Sequence, residues 1–208
     1  MTGVDDRSTL RPVTKKTTPD TIVDSATAAL VARGYNGTGI NDILAAVKVP
    51  KGSFYHYFES KEALAEEVLR RYGHDTEEWL TAQLAADGSP VEAVVKTFRA
   101  ARERLRGAGF GVGCLLGSLA QELANSDGKL VSSMRTIFRA WERPLLGALE
   151  RAKSQGLLTP DIDCRALASH ILNSWEGAVL RSKLEKSAAP LDRFLDHTAR
   201  YLRLLQPR

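Results

Sequence analysis

The sequence predicts an all-α protein of about nine helices. An N-terminal three-helix unit holds a helix-turn-helix, and a larger helical part follows it. Three observations predict this. Apolar residues recur at helical spacings of three and four along most of the chain, and no stretch sustains strand alternation. Breakers fall at short intervals, the clearest being Asp87-Gly88-Ser89-Pro90. Finally, two very short helical segments lie between longer ones near the N-terminus.

Residues 1–17 are polar and carry Arg7, Arg11, Lys15 and Lys16, and read as a flexible basic-tipped arm. Thr17 or Thr18 can cap the first helix, with Pro19 in its opening turn. Ile22, Ala26, Ala29 and Leu30 share one face of it, and Gly34 ends it. The second helix buries Ile40, Ile43, Leu44 and Val47. It breaks at Lys48-Val49, and a third short helix runs from Pro50 to about Tyr57. A fourth starts after Ser60 and continues past Trp79 towards Leu84, with Leu64, Val68, Leu69 and Tyr72 inward. Beyond the breaker, helices are expected near 91–105, 114–126, 129–154, 163–183 and 191–205. The organisation is therefore an arm over 1–17, a helix-turn-helix unit over 18–65, and a larger helical part over 66–208.

Composition sets bounds. With 208 residues, 43% hydrophobic and 26% charged, the chain is of ordinary globular type. A net charge of +4 suits a polyanionic partner without identifying one. No apolar run reaches the roughly 20 residues needed to span a bilayer, so no membrane partner is expected. The N-terminus lacks the apolar centre of a signal peptide, which makes the cytoplasm the expected location. Two cysteines and four scattered histidines offer neither a disulfide scaffold nor a zinc-ligand pattern, so no metal and no cofactor are expected. The chain carries no Ser/His/Asp arrangement, phosphate-cradling loop or paired acids set in a recognisable site, so it is not read as an enzyme.

Two short helices cannot bury much apolar surface alone. Scaffolded by the first and fourth helices, the third is presented outward. Phe54, Tyr57 and Phe58, spaced by three and four, form its buried face and leave Lys51, Ser53, Tyr55 and His56 outside. Those cations, donors and aromatic edges suit a phosphate-lined major groove.

The segment from Ile22 through Leu69 resembles the DNA-binding domain of the TetR family. The matching residues are Ala26, Leu30, Gly34, Tyr35, Thr38, Ile40, Ile43, Val49, the run Lys51-Gly52-Ser53-Phe54-Tyr55-His56-Tyr57-Phe58 and the run Ser60-Lys61-Glu62-Ala63-Leu64. The resemblance implies that Lys51, Ser53, Tyr55 and His56 lie in the groove or against phosphates. It also implies that Thr38, Tyr57 and Lys61 meet the DNA backbone and that Gly52 permits close approach. Lys15 and Lys16 either reach a groove edge or belong to a solvated tail. Two positions depart from the family pattern. Lys48 stands where the turn usually has glycine, and Pro50 where the reading helix usually opens on serine or threonine. A lysine at positive φ costs about 1–2 kcal/mol.

The same resemblance implies a homodimer on a palindromic double-stranded operator, with the last two helices as the interface. The candidate interface residues are Leu167, Ile171, Trp175, Ala178, Phe194, Leu195, Tyr201 and Leu202, which equally fit a monomer core. The intervening helices would enclose a small organic effector, with Trp79, Phe98, Phe110, Leu119, Phe138, Trp141 and Trp175 as apolar candidates and Gln121, Asn173 and Glu176 as polar ones. Cys114 sits where the Gly107–Gly113 loop gives way to a helix, a place that favours thiolate. Gly113-Cys114 resembles a TetR-family subgroup in which some members sense electrophiles or oxidants through that cysteine and others bind small molecules reversibly. Two readings of Cys114 stand, reactive sensor and inert core filler. The function expected is a repressor released from its operator by an effector. The alternatives are covalent sensing through Cys114 and a non-DNA-binding module or enzyme on the same fold.

Overall fold

A computed structural model describes residues 17–126 and 128–207, and Lys15, Lys16 and the rest of the expected arm before Thr17 lie outside it. The described residues form nine helices and no strand: α1 (Thr18–Arg33), α2 (Ile40–Val47), α3 (Lys51–Tyr57), α4 (Lys61–Leu84), α5 (Pro90–Gly107), α6 (Leu115–Leu123), α7 (Lys129–Ser154), α8 (Cys164–Glu185) and α9 (Ala189–Leu204).

Local chemistry sets the boundaries. The Thr17 hydroxyl caps α1 while the Asp20 carboxylate accepts the Thr17 N–H at 3.2 Å, a reciprocal capping box. Gly34, at φ +72°, takes the chain out of α1. Lys48 does adopt the left-handed conformation, at φ 54°. It is held there because the next amide, that of Val49, donates to the Leu44 carbonyl at 3.1 Å, which closes the helix end. Pro50 is the residue before α3 rather than its first member, and no side-chain hydrogen bond caps the helix there.

Ile22, Ala26 and Leu30 of α1, Ile43 and Leu44 of α2, and Phe54 and Phe58 around α3 are buried with Leu64 and Val68 of α4. That packing scaffolds the short helices. The long helix α4 then continues into the second half, where α7 lies along it. Gly73 allows this approach, because a Cβ there would stand 2.9 Å from the Ile137 side chain. The indole N–H of Trp141 donates to the Gly73 carbonyl at 3.0 Å and locks the same crossing. Helices α8 and α9 pack on each other, and α5 is pinned to α9 by the Arg102–Asp192 ion pair at 2.9 Å.

Candidate DNA-reading surface and effector cavity

Phe54 and Phe58 face the scaffold four residues apart, and that fixes which side of α3 is outward. Lys51, Gly52, Tyr55 and His56 are exposed and Ser53 is half-buried. Tyr57, expected on the buried face, is 46% exposed. It follows Phe54 by three positions, and on this short helix Phe58 at the fourth position fills the inward direction alone. Gly52 has no atom within 4 Å of where its Cβ would be, so its outer side is open space.

Two expected backbone contacts are placed differently. Thr38 is buried, and its hydroxyl lies 2.7 Å from the Gly34 carbonyl oxygen and 3.2 Å from that of Ala29. Its side chain therefore fastens the α1–α2 connection instead of facing a phosphate. The Lys61 amine is turned onto Tyr35, donating to its carbonyl at 2.6 Å and lying 4.2 Å from its ring centre. A phosphate would have to compete with both contacts. Below this surface Arg71 bridges Asp20 at 2.8 Å and Glu67 at 2.6 Å, tying α1 to α4. The Thr17 hydroxyl and Arg71 hold the Asp20 carboxyl down at about 2, and hydrogen bonds from Arg70 and Arg71 hold Glu67 at about 2.

In the second half, most of the expected effector residues are packing. Phe98, Leu119, Trp141 and Trp175 are buried, and Phe98, Trp175 and Phe194 form an aromatic triad with centroids 5.2–5.4 Å apart. Trp79 is covered by the Arg104 guanidinium at 4.3 Å. Phe110, half-buried at φ 53°, belongs to the loop after α5. Asn173 is exposed and its amide donates to Ser169 at 3.5 Å, so it faces away from the interior.

A cavity of about 180 Å³ opens between α6, α7 and α8, lined by Cys114, Gly117, Gln121, Phe138, Glu176 and Lys183 among others. Of the expected effector residues, Cys114 and Phe138 meet there, together with the polar candidates Gln121 and Glu176. Gly117 makes room for the carboxyl, since its Cβ would stand 2.8 Å from Glu176 Oε2. Burial pushes Glu176 up to about 7. The Cys114 thiol is pushed up as well, first by burial and then by the neighbouring Glu176. Of the two readings of Cys114, this favours the core filler over the reactive thiolate. The Gly117 N–H does donate to Cys114 Sγ at 3.4 Å, and the Tyr72 hydroxyl lies 4.0 Å from it, but burial outweighs both. The roles of Gly117, Lys183 and Tyr72 left no mark in the sequence pattern, because each depends on a neighbour from another helix.

The candidate interface residues divide. Leu167, Ile171, Ala178, Phe194 and Tyr201 line an open groove of about 870 Å³ along α8 and α9. Trp175 and Leu202 are buried and Leu195 is half-buried against the core. The same two helices expose Leu180, Leu184 and Leu204, the last two at 80% and 76%. No group of three or more His, Cys, Asp or Glu among the described residues is placed to hold a metal. No described helix is long and apolar enough to cross a membrane.

Residues 22–68 match the family described as bacterial regulatory proteins, tetR family, and residues 90–198 match the tetracyclin repressor-like C-terminal domain. The chain belongs to the TetR family. It is a DNA-binding transcriptional regulator, as members of this family are. Among its TetR-family relatives, the HTH-type transcriptional repressor DhaR of Mycobacterium sp. is 35% identical over 84% of this chain and 86% of that protein. The HTH-type transcriptional repressor NemR of Escherichia coli is 31% identical over 79% of this chain and 83% of its own. The fold agrees with a crystal structure of a regulatory protein TetR from Rhodobacter sphaeroides, at TM-score 0.82 and 31% identity over 87% of this chain and 96% of that one.

Proposed function

We propose that the protein is a homodimeric repressor that occupies a palindromic operator and is released when a small organic molecule enters the cavity beside Cys114 and Glu176. The observation that carries this is the outward face of α3, where Lys51, Tyr55 and His56 stand exposed on a helix whose inner side is fixed by Phe54 and Phe58. Lys51, Ser53, Tyr55, His56 and Tyr57 supply donors to bases and phosphates, and Gly52 lets the backbone come close. One such helix reads only a few base pairs, so two must act together. The groove and exposed leucines of α8 and α9 supply an apolar face for the second copy.

The reading domain is taken as 18–65 and the effector and dimerisation domain as 66–208, with α4 shared between them. A cavity of about 180 Å³ is smaller than the roughly 300–1,000 Å³ of drug-sized sites, so the effector is a small molecule. Binding that favours one orientation of α6 relative to α4 would move the reading helices and shift the dimer off its operator. The protein works in the cytoplasm, on DNA.

A second reading is covalent sensing by Cys114. Its support is that the cavity reaches Cys114. Burial pushes the Cys114 thiol up, which favours reversible binding over covalent attack. Gel shifts with N-ethylmaleimide on wild type and Cys114→Ser separate the two. Release of wild type alone establishes the covalent route, and equal behaviour of both proteins removes it.

A further inference from the structure

The connection between α1 and α2 is held from two sides. Glu122, near the end of α6, accepts the Tyr35 N–H at 3.2 Å and the Asn36 N–H at 2.9 Å, one on each carboxylate oxygen. From α4, Lys61 donates to the carbonyl of that same Tyr35 at 2.6 Å. Gly34 is part of this arrangement, because a Cβ there would lie 1.7 Å from Glu122 Oε1. Thr38 then fastens the connection back onto α1 through the Gly34 carbonyl. Two residues further on, α2 begins and leads into the reading helix.

The other end of this link is seated in the core. Leu115, Leu116 and Leu119 of α6 are buried in the core of the second half. The helix is therefore a short bar seated among α7 and its neighbours, with Glu122 projecting from its end. A carboxylate that accepts two backbone N–H groups is a directional, charge-assisted contact. It links the reading unit, at an exposed position, to the half that carries the α8–α9 face.

We infer that Glu122 is a specificity-determining residue, setting the half-site spacing that the dimer accepts. Glu122 touches no base. It acts by restricting where each reading helix stands relative to the two-fold axis. A dimer with rigidly placed heads engages both half-sites only at one spacing, whereas loosened heads accept several. This inference rests on the dimeric-repressor reading.

The experiment uses full-length protein and an operator obtained by wild-type selection from a random pool. Fluorescence anisotropy is measured on that duplex, on duplexes with the half-sites moved about one base pair closer or further apart, and on a single half-site. Wild type should lose about 10-fold or more on the altered spacings, and Glu122→Ala about 3-fold or less. Both should bind the single half-site equally and show the same salt slope, since no phosphate contact is removed. Glu122→Gln, which keeps one neutral acceptor, should fall between them and serves if the alanine variant unfolds early. Identical spacing profiles for wild type and both variants overturn the role of Glu122 and leave the dimeric reading intact. A wild type that selects no symmetric site overturns the dimeric reading, and this inference with it.

Discussion

The Trp141 indole N–H and the Gly73 carbonyl oxygen stand 3.0 Å apart, and that bond joins α7 to the middle of α4. Because α4 runs from the reading unit into the effector half, the crossing sets how movement in one reaches the other. Gly73→Ala forces a methyl against Ile137 at 2.9 Å, so the helices must separate. The expected cost is about 1–3 kcal/mol. Urea unfolding should register it as a lower midpoint at unchanged m-value.

Trp141→Phe tests the same crossing differently. It keeps most of the buried ring but removes a buried donor, for a loss of about 1 kcal/mol from the missing hydrogen bond. Thermal unfolding should show a smaller fall than for Trp141→Ala, which also leaves a cavity.

Lys48 holds φ 54° without glycine's freedom. Lys48→Gly should therefore stabilise the chain by up to about 1 kcal/mol, the strain outweighing the added flexibility of the unfolded state. A Lys48→Val variant should be less stable than either, as a β-branched residue tolerates this conformation least. Chemical denaturation of the three proteins provides the comparison.

Glu176 gives a pH signature. Burial raises its folded value to about 7, above that of an unfolded glutamate, so the native state holds the proton more tightly. Stability from this group is fully present below about pH 4.5 and is lost as pH rises through about 7. The loss approaches about 3 kcal/mol by pH 8. Glu176→Gln should flatten that part of the profile, seen as a smaller fall in unfolding temperature between pH 5 and pH 8.

Asp20 and Glu67 act in the opposite sense. Both carboxyls are held at about 2, so their contribution is present above the unfolded carboxylate range and disappears as pH falls from about 4.5 towards 2. Both are solvent-accessible, which keeps the effect small. Asp20→Asn combined with Glu67→Gln should shallow the acid limb of the stability profile and leave the limb near pH 7 in place.

Much of the fold was legible because its determinants are local. Thr17, Gly34, Ser60 and the Asp87–Pro90 breaker each act within a turn of their own position, and the helices they delimit lie within a few residues of the expected bounds. Lys48 likewise announced its strained turn by standing where the resembled family usually has glycine. What escaped is non-local. Whether Thr38 faces a phosphate or the Gly34 carbonyl depends on how the connection folds back, and Lys61 is drawn to Tyr35 from another segment. Cys114 illustrates this most clearly, since its position at a helix start argued for a thiolate while Glu176, far along the chain, and burial argue against it. Glu122 carried no signal at all, because its partners are backbone amides that any sequence would supply.

Operator selection from a random DNA pool, using the purified full-length protein, tests the account's central claim most directly. The account predicts enrichment of a two-fold symmetric duplex whose affinity falls with rising salt and is weakened by Lys51→Ala and Tyr55→Ala. Enrichment of no sequence, or of one isolated asymmetric half-site, would contradict it.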